Sequence, residues 1–379
     1  MTDRPKPLAG VRVLDLSQLI PGPMVSLHLA DMGAEVIKIE NPKGGDPMRH
    51  AGVGANAISK GFAALNRNKK SVALDLKDAA QRDTFQALAG TAGVVIEQFR
   101  PGVMDRLGLG YATLAARNPA LVYTSITGYG QTESPLRDQA GHDINYLAYA
   151  GILDQIGAAG GPPVLSNFQI GDLAGGSLSA AMGILAALFD AARSGRGRHV
   201  DIAMTDCAMA HAVVPLYHIA EHGAAPERGR GQLSGGRPYY GVYRCADDRY
   251  FALGALEPKF WRAFCQAIER PDLIDRQREG GEALAAELRA LFARRSRDDW
   301  AAALAGIDAC LSPVLSPEEA IRHPHAVARG LVMEREHPAA GRYLGYALPI
   351  RFSDFAFTVE REAPELGADT DAILSALTR

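Results

Sequence analysis

The sequence holds few of the features that announce a function at once. Its four cysteines, Cys207, Cys245, Cys265 and Cys310, show no CxxC spacing. That excludes a disulfide framework of the secreted kind and leads to the expectation of reduced thiols in a cytoplasmic protein. There is no excess of either charge: 40 basic residues against 43 acidic ones give a formal net charge of −3. A general nucleic-acid binder is therefore excluded, and an anionic ligand would need a local basic patch. No GxGxxG follows the first apolar segment and no GxxxxGK[ST] occurs anywhere, so the common glycine-rich phosphate loops are absent. Glycine or charge interrupts the longest apolar runs, and no membrane span is expected. The N-terminal MTDRPKPLAG carries no apolar signal segment, and the C-terminal SALTR is no peroxisomal signal. No internal repeat is found.

What is present is an alternation of strand and helix patterns. Val11–Leu16 and Ala34–Ile39 read as buried strands, with a Pro21-Gly22-Pro23 turn and a helix over Met24–Met32 between them. Further strands are predicted at Ser71–Leu76, Gly93–Phe99, Leu121–Ile126 and His199–Ala203, with helices at Asp78–Ala89 and Tyr111–Ala116. Strand–helix–strand units favour a parallel sheet, so the fold expected is a doubly wound α/β domain. Composition shifts to ERGRGQLSGGR at Glu227–Arg237, which marks a boundary. Beyond it, two strands with a turn at Ala246-Asp247-Asp248 precede helices at Glu257–Glu269, Glu282–Ala293 and Arg297–Leu304. The expected organisation is a large α/β domain over 1–226, a smaller α+β domain over 227–330, and a segment over 331–379 that returns to the large domain. In that segment strands are predicted at Leu331–Arg335 and Ala347–Phe352, and a helix at Pro364–Thr378.

The chemistry concentrates between Arg137 and Phe189. His142 lies in the first part of this stretch. Asp172 follows a glycine and precedes Gly175 and Gly176. Leu178, Met182, Leu185 and Phe189 recur at helical spacing, which puts Asp172 at or just before a helix N-terminus. Taken alone, an aspartate there reads as an N-cap. The Gln98–Arg106 segment sets two arginines beside a Pro-Gly turn, at what should be the carboxyl end of a strand. Arginine forks and backbone N–H groups there suit a phosphate, and a solvated loop is an equal reading. His218 and His222 have the i, i+4 spacing of a metal pair without a third ligand, and no metal site is expected.

Several segments together resemble the CoA-transferase family III superfamily over nearly the whole chain: GAEVIKIENPKGGD, LNRNKKSVALDLK, EQFRPGVMDRLGLGY, GRGRHVDIAMTDC and LSPEEAIRHPHAVARG among them. Within that superfamily, GHDINY at Gly141–Tyr146, the GD at Gly171-Asp172 and GALEP at Gly254–Pro258 are similar to motifs of the α-methylacyl-CoA racemase branch. The resemblance implies a Rossmann-like large domain, an interlocked homodimer with shared active sites, and an acyl-CoA substrate that brings the only coenzyme. It implies inversion of an α-carbon, with Asp172 as acid/base on one face and His142, paired with Glu257, on the other. Backbone N–H groups at the helix start after Asp172 would stabilise an enolate. A transferase would instead use Asp172 as an acylated nucleophile, and a non-catalytic acyl-CoA-binding protein is a third reading. By the same resemblance Leu74, Phe99, Arg100, Val103 and Arg106 would line the nucleotide end of CoA, helped by Lys43. Asn41 and Gln98 depart from the residues usual there, arginine and asparagine. Tyr146 and Tyr240 resemble tyrosines near the acyl pocket.

Overall fold

A computed structural model describes residues 5–54, 57–132 and 134–377. The chain divides into two compact units. One comprises Met1–Ala150, Asn167–His211 and Pro324–Arg379; the other comprises Gly151–Ser166 and Ala212–His323. The second unit thus opens ahead of the Glu227 composition shift and takes in a short segment from the middle of the His142–Asp172 stretch.

The first unit is built on six strands: β1 (Arg12–Asp15), β2 (Glu35–Glu40), β3 (Lys69–Ala73), β4 (Val94–Glu97), β5 (Val122–Thr127) and β6 (His199–Ala203). They run parallel in the order β3-β2-β1-β4-β5-β6. Successive residues bury on opposite faces, as a period of two requires. Val13, Val36 and Val94 enter one core, while Leu14, Ile37 and Val95 enter the other. The doubly wound expectation holds, and the order reverses between β1 and β4, where such sheets open a crevice at their carboxyl ends.

Local readings differ in three places. Pro21-Gly22-Pro23 is the first turn of helix α1 (Pro21–Asp31) rather than a turn before it. Proline is suited there because first-turn N–H groups have no helical partner to lose. Strand β3 starts at Lys69, not Ser71, because two lysines disguise its entry; Lys69 is fully buried and its amine is satisfied within the protein. In the return segment Val332–His337 pairs antiparallel with Gly341–Tyr346, not with Ala347–Phe352. Pro349 removes a donor that a paired strand there would use. The tail helix begins only at Thr370.

A buried ionic cluster ties the ends of β1, β2 and β3 together. Lys38 Nζ lies 2.9 Å from Asp46 and donates to Ser17 O at 2.7 Å. Asp46 Oδ1 accepts the N–H groups of Leu19 and Met48 at 3.1 and 2.9 Å. Arg49 grips Glu40 through two bonds of 2.8 and 2.6 Å. Lys69 reaches Pro23 O and Asn66 Oδ1 at 2.9 Å each, and burial pushes its amine down to about 7. These bonds fix the loops that follow β1 and β2.

The long helix Ser179–Ser194 continues an eight-residue π-helical stretch, Gly171–Leu178. Together, Gly171–Ser194 is long and apolar enough to match a membrane span, which the interrupting glycines had argued against. One face, with Ala180, Ile184 and Ala187, is buried in the core of this unit. The residues that carry the apolar periodicity lie on the opposite face: Leu178, Met182 and Phe189 are 59, 70 and 66% exposed.

The second unit has a three-stranded antiparallel sheet, Tyr240–Arg244, Tyr250–Gly254 and Leu311–Pro313, over helices. Its core centres on Phe292, which Tyr243, Phe251, Phe264 and Trp300 surround. Both tryptophans are here, and each buried indole N–H finds a backbone carbonyl, Leu273 O and Phe292 O.

Candidate active site and CoA cleft

The carboxyl ends of β1, β4 and β5 open into a cavity of about 630 Å³. Its wall combines Leu19, Pro21 and Met48 with Phe99, Arg100, Arg137, His142, Tyr146 and Asp172. The loops that supply the first three are those held by the buried ionic cluster. Gln98 Oε1 adds a bond from Gly22 N at 3.2 Å. Phe99 is held from below, its N–H donating to Glu97 Oε2 at 2.8 Å, and burial raises the Glu97 carboxyl to about 7.

His142 is the N-cap of helix Asp143–Tyr149, and its backbone N–H donates to Asn145 Oδ1 at 3.1 Å. This leaves the imidazole exposed on the cavity. Asp172 is the second residue of the π-helical stretch, not a cap before it. The wide winding shows in the hydroxyls of Ser177 and Ser179, which donate to the carbonyls five residues back, Asp172 O and Ala174 O. Asp143 is a structural partner: its Oδ1 accepts the Asp172 N–H at 3.0 Å. Burial, then the Asp143 carboxylate, raise the Asp172 pKa to about 6, and His142 pulls it back.

The oxyanion site expected just after Asp172 needs correction. The Asp172 N–H is committed to Asp143 and the Leu173 N–H to Gln169 O at 2.9 Å, so neither is available to an enolate. Tyr146 is buried beside Asp172, its hydroxyl donating to Gly141 O at 2.5 Å and its pKa pushed up to about 12 by burial.

The structure therefore brings His142 and Asp172 to one wall. Glu257 belongs to the second unit, where it is exposed and caps helix Pro258–Ala267, its carbonyl accepting the N–H groups of Phe260 and Trp261. Tyr240 is in that unit too.

Beside the large cavity lies a cleft of about 400 Å³ at the ends of β2, β3 and β4, which Leu74, Phe99, Val103 and Arg106 line together. Phe99 lines both spaces. Arg100 lines the larger cavity instead. Lys43 lines neither, because the turn that bonds its N–H to Asn41 Oδ1 at 2.8 Å leaves it exposed. Lys77 takes a place in the cleft that sequence reasoning missed; a basic residue just past a strand end was the signal. The rings of His218 and His222 lie 5.4 Å apart, tilted by 53°, and no set of three metal-ligating side chains occurs among the described residues.

Residues 8–370 match the family model described as CoA-transferase family III. The chain belongs to CoA-transferase family III. It is 34% identical over 373 residues to α-methylacyl-CoA racemase from Homo sapiens, with 97% of this chain and 92% of that protein covered. It is 32% identical to succinyl-CoA:glutarate CoA-transferase from Homo sapiens, over 99% of this chain and 86% of that one. Among solved structures, a CAIB/BAIF family protein from Brucella suis superposes with a TM-score of 0.84 at 30% identity, covering 99% of this chain and all of that one. The CoA-transferase family III relatives thus include both a racemase and transferases at similar identity, and the choice between reactions rests on the chemistry of the site.

Proposed function

We propose that the protein is a racemase or epimerase of 2-methylacyl-CoA thioesters, working by 1,1-proton transfer through an enolate. The observation that carries this reading is the pairing on one cavity wall of an exposed imidazole, His142, with a carboxyl raised to about 6, Asp172. Inverting a carbon α to a thioester needs a base on one face and an acid on the other, with roles that exchange with direction. In one direction the Asp172 carboxylate takes the α-proton, the C–H electron pair moves into the enolate, and the His142 imidazolium returns a proton to the opposite face. In the other direction neutral His142 takes the proton and Asp172 gives its own. A carboxyl raised to about 6 and an imidazole can each give or take the proton, which suits both directions. Glu257 would orient the imidazole, as the racemase resemblance implies. The thioester brings CoA, and no further cofactor enters the reaction.

The 400 Å³ cleft with Leu74, Val103, Arg106 and Lys77 would take the nucleotide, and the larger cavity the thioester. An exposed apolar stripe at Leu178, Met182 and Phe189 supports a homodimer, because a soluble monomer rarely leaves such a stripe open. Four unpaired thiols fit a cytosolic setting.

The test is NMR of a 2-methylacyl-CoA of defined configuration in deuterated water, followed for α-deuterium and for the second epimer. Both should appear with the wild type and fail in Asp172→Ala and His142→Ala. Transfer of CoA to an added carboxylate through an Asp172 acyl adduct, without α-exchange, would replace this reading by the transferase one. That second reading has the transferase relatives behind it.

A further inference from the structure

Strand β3 is an edge of the six-stranded sheet, and an edge strand turns one row of backbone groups away from the ladder. Residues 360–370 answer that row from the far end of the chain. Asp369 Oδ2 accepts the Ser71 N–H and the Asp369 N–H donates to Ser71 O, each at 2.9 Å. Thr370 Oγ1 accepts the Ala73 N–H and Arg361 O accepts the Asn68 N–H, each at 3.0 Å. Arg361 also grips Asp369 through bonds of 3.1 and 3.2 Å, so the segment is closed on itself where it is pinned.

The same segment reaches past β3 to the buried ionic cluster. Glu40 Oε1 accepts the Asp46 N–H at 3.1 Å and Arg49 Nε at 2.8 Å. Its Oε2 accepts the Ser71 hydroxyl at 2.7 Å and Arg49 Nη2 at 2.6 Å. The two side chains that bracket Glu40 are each held from behind by the segment. Gly367 N–H donates to Ser71 Oγ and Arg49 Nη1 donates to Pro364 O, both at 2.9 Å. Glu40, Arg49 and Ser71 are all buried, so water cannot stand in for a lost partner. Asp46, placed by Glu40, in turn accepts the N–H groups of Leu19 and Met48, which line the larger cavity.

We propose that residues 360–370 form a strap, pinned by Asp369, that positions Glu40 and through it the Leu19 and Met48 side of the larger cavity. Asp369 is a positioning residue, acting through Ser71 and Glu40 from outside the cavity lining. His142 and Asp172 stand on other elements, so the strap governs how the cavity receives its ligand and not the proton transfer.

Amide hydrogen exchange and steady-state kinetics on three full-length variants test this. Asp369→Ala removes the pin. Gly367→Ala forces a side chain onto a left-handed backbone (φ +70°), with its Cβ 2.9 Å from that of Ala73, and wedges the strap away. Asp369→Asn keeps an acceptor for the Ser71 N–H and is the rescue. In the first two variants the Leu19 and Met48 amides should exchange about five- to tenfold faster, with the amides of β1 and β4 as in wild type. KM for a 2-methylacyl-CoA should rise by a similar factor with kcat kept, and Asp369→Asn should restore most of both. Faster exchange at Ser71 and Ala73 with Leu19 and Met48 unchanged overturns the proposal. So does acceleration throughout β1 and β4, which makes the segment a general support of the fold, or a fall in kcat at constant KM. The KM arm rests on the acyl-CoA reading, whereas the exchange arm needs no substrate. A wild type that turns over no acyl-CoA therefore removes that reading, and amide exchange still decides the strap.

Discussion

Two sets of charges occupy the first unit's strands and the loops that follow them, and the protein treats them in opposite ways. Asp15, Lys38, Asp46 and Lys69 are 0% exposed, and with Glu40 and Arg49 they bond one another or nearby carbonyls and hydroxyls. Arg100, Arg106, His142 and Asp172 face the cleft and the cavity, with no opposite charge bonded to them among the described residues. Buried charges are tolerable when every lone pair and proton is answered, and their yield is a fixed geometry. Charges left half in water without such partners are available to a ligand. The first set holds Leu19, Pro23 and Met48 in place, and the second set works on the wall so formed.

The comparison breaks first at the reactive pair. Asp172→Ala or His142→Ala should lower α-proton exchange by about a hundred- to ten-thousand-fold while unfolding curves stay close to wild type. A large loss of stability in either variant would put these residues in the structural set. The converse holds for Lys38→Met, which strands Asp46 without its partner. It should cost about 3–5 kcal/mol in urea unfolding, and a cost below 1 would show that the cluster is not what fixes the loops.

The pH profile sharpens the functional side. Active enzyme needs one proton on the Asp172–His142 pair. kcat/KM for both epimers should therefore fall about tenfold per pH unit below about 6, the Asp172 value, as its carboxylate takes up a proton. The two profiles should superimpose, since the two active forms differ only in which residue holds the proton. A profile flat through pH 6 would show that the Asp172 carboxylate is not the base.

The smallest effect is on stability. The folded Asp172 carboxyl keeps its proton up to about 6, against 3.8 when free. Its burial therefore costs nothing below the lower value, and the cost grows as pH rises to the upper one. Asp172→Asn should stabilise the fold by about 1 kcal/mol at pH 8, after allowance for partial exposure, and not at all near pH 3.5. Chemical denaturation at the two pH values measures both.

The parallel sheet was legible because its strands are continuous apolar runs at regular intervals, the pattern of strands covered on both faces. Lys69 escaped because a buried cation looks like surface until its partners are known. The His142 and Asp172 positions were readable from motif, but their shared wall was not, since 30 residues separate them and part of the intervening chain belongs to the other unit. Asp143 reads from the sequence as a structural hydrogen-bonding residue rather than a base, and its bond to the Asp172 N–H agrees.

The π-helical winding of Gly171–Leu178 has a consequence for how this aspartate is aimed. An α-helix turns about 100° per residue, whereas a π turn spends one residue more on each revolution. The compass bearing of Asp172 relative to the long helix behind it is therefore set by a count of residues rather than by their chemistry. Removing one residue between Leu173 and Leu178 would let the stretch relax to α winding and swing the carboxyl by about 100°, away from its wall, with every side chain that lines the cavity still in the chain.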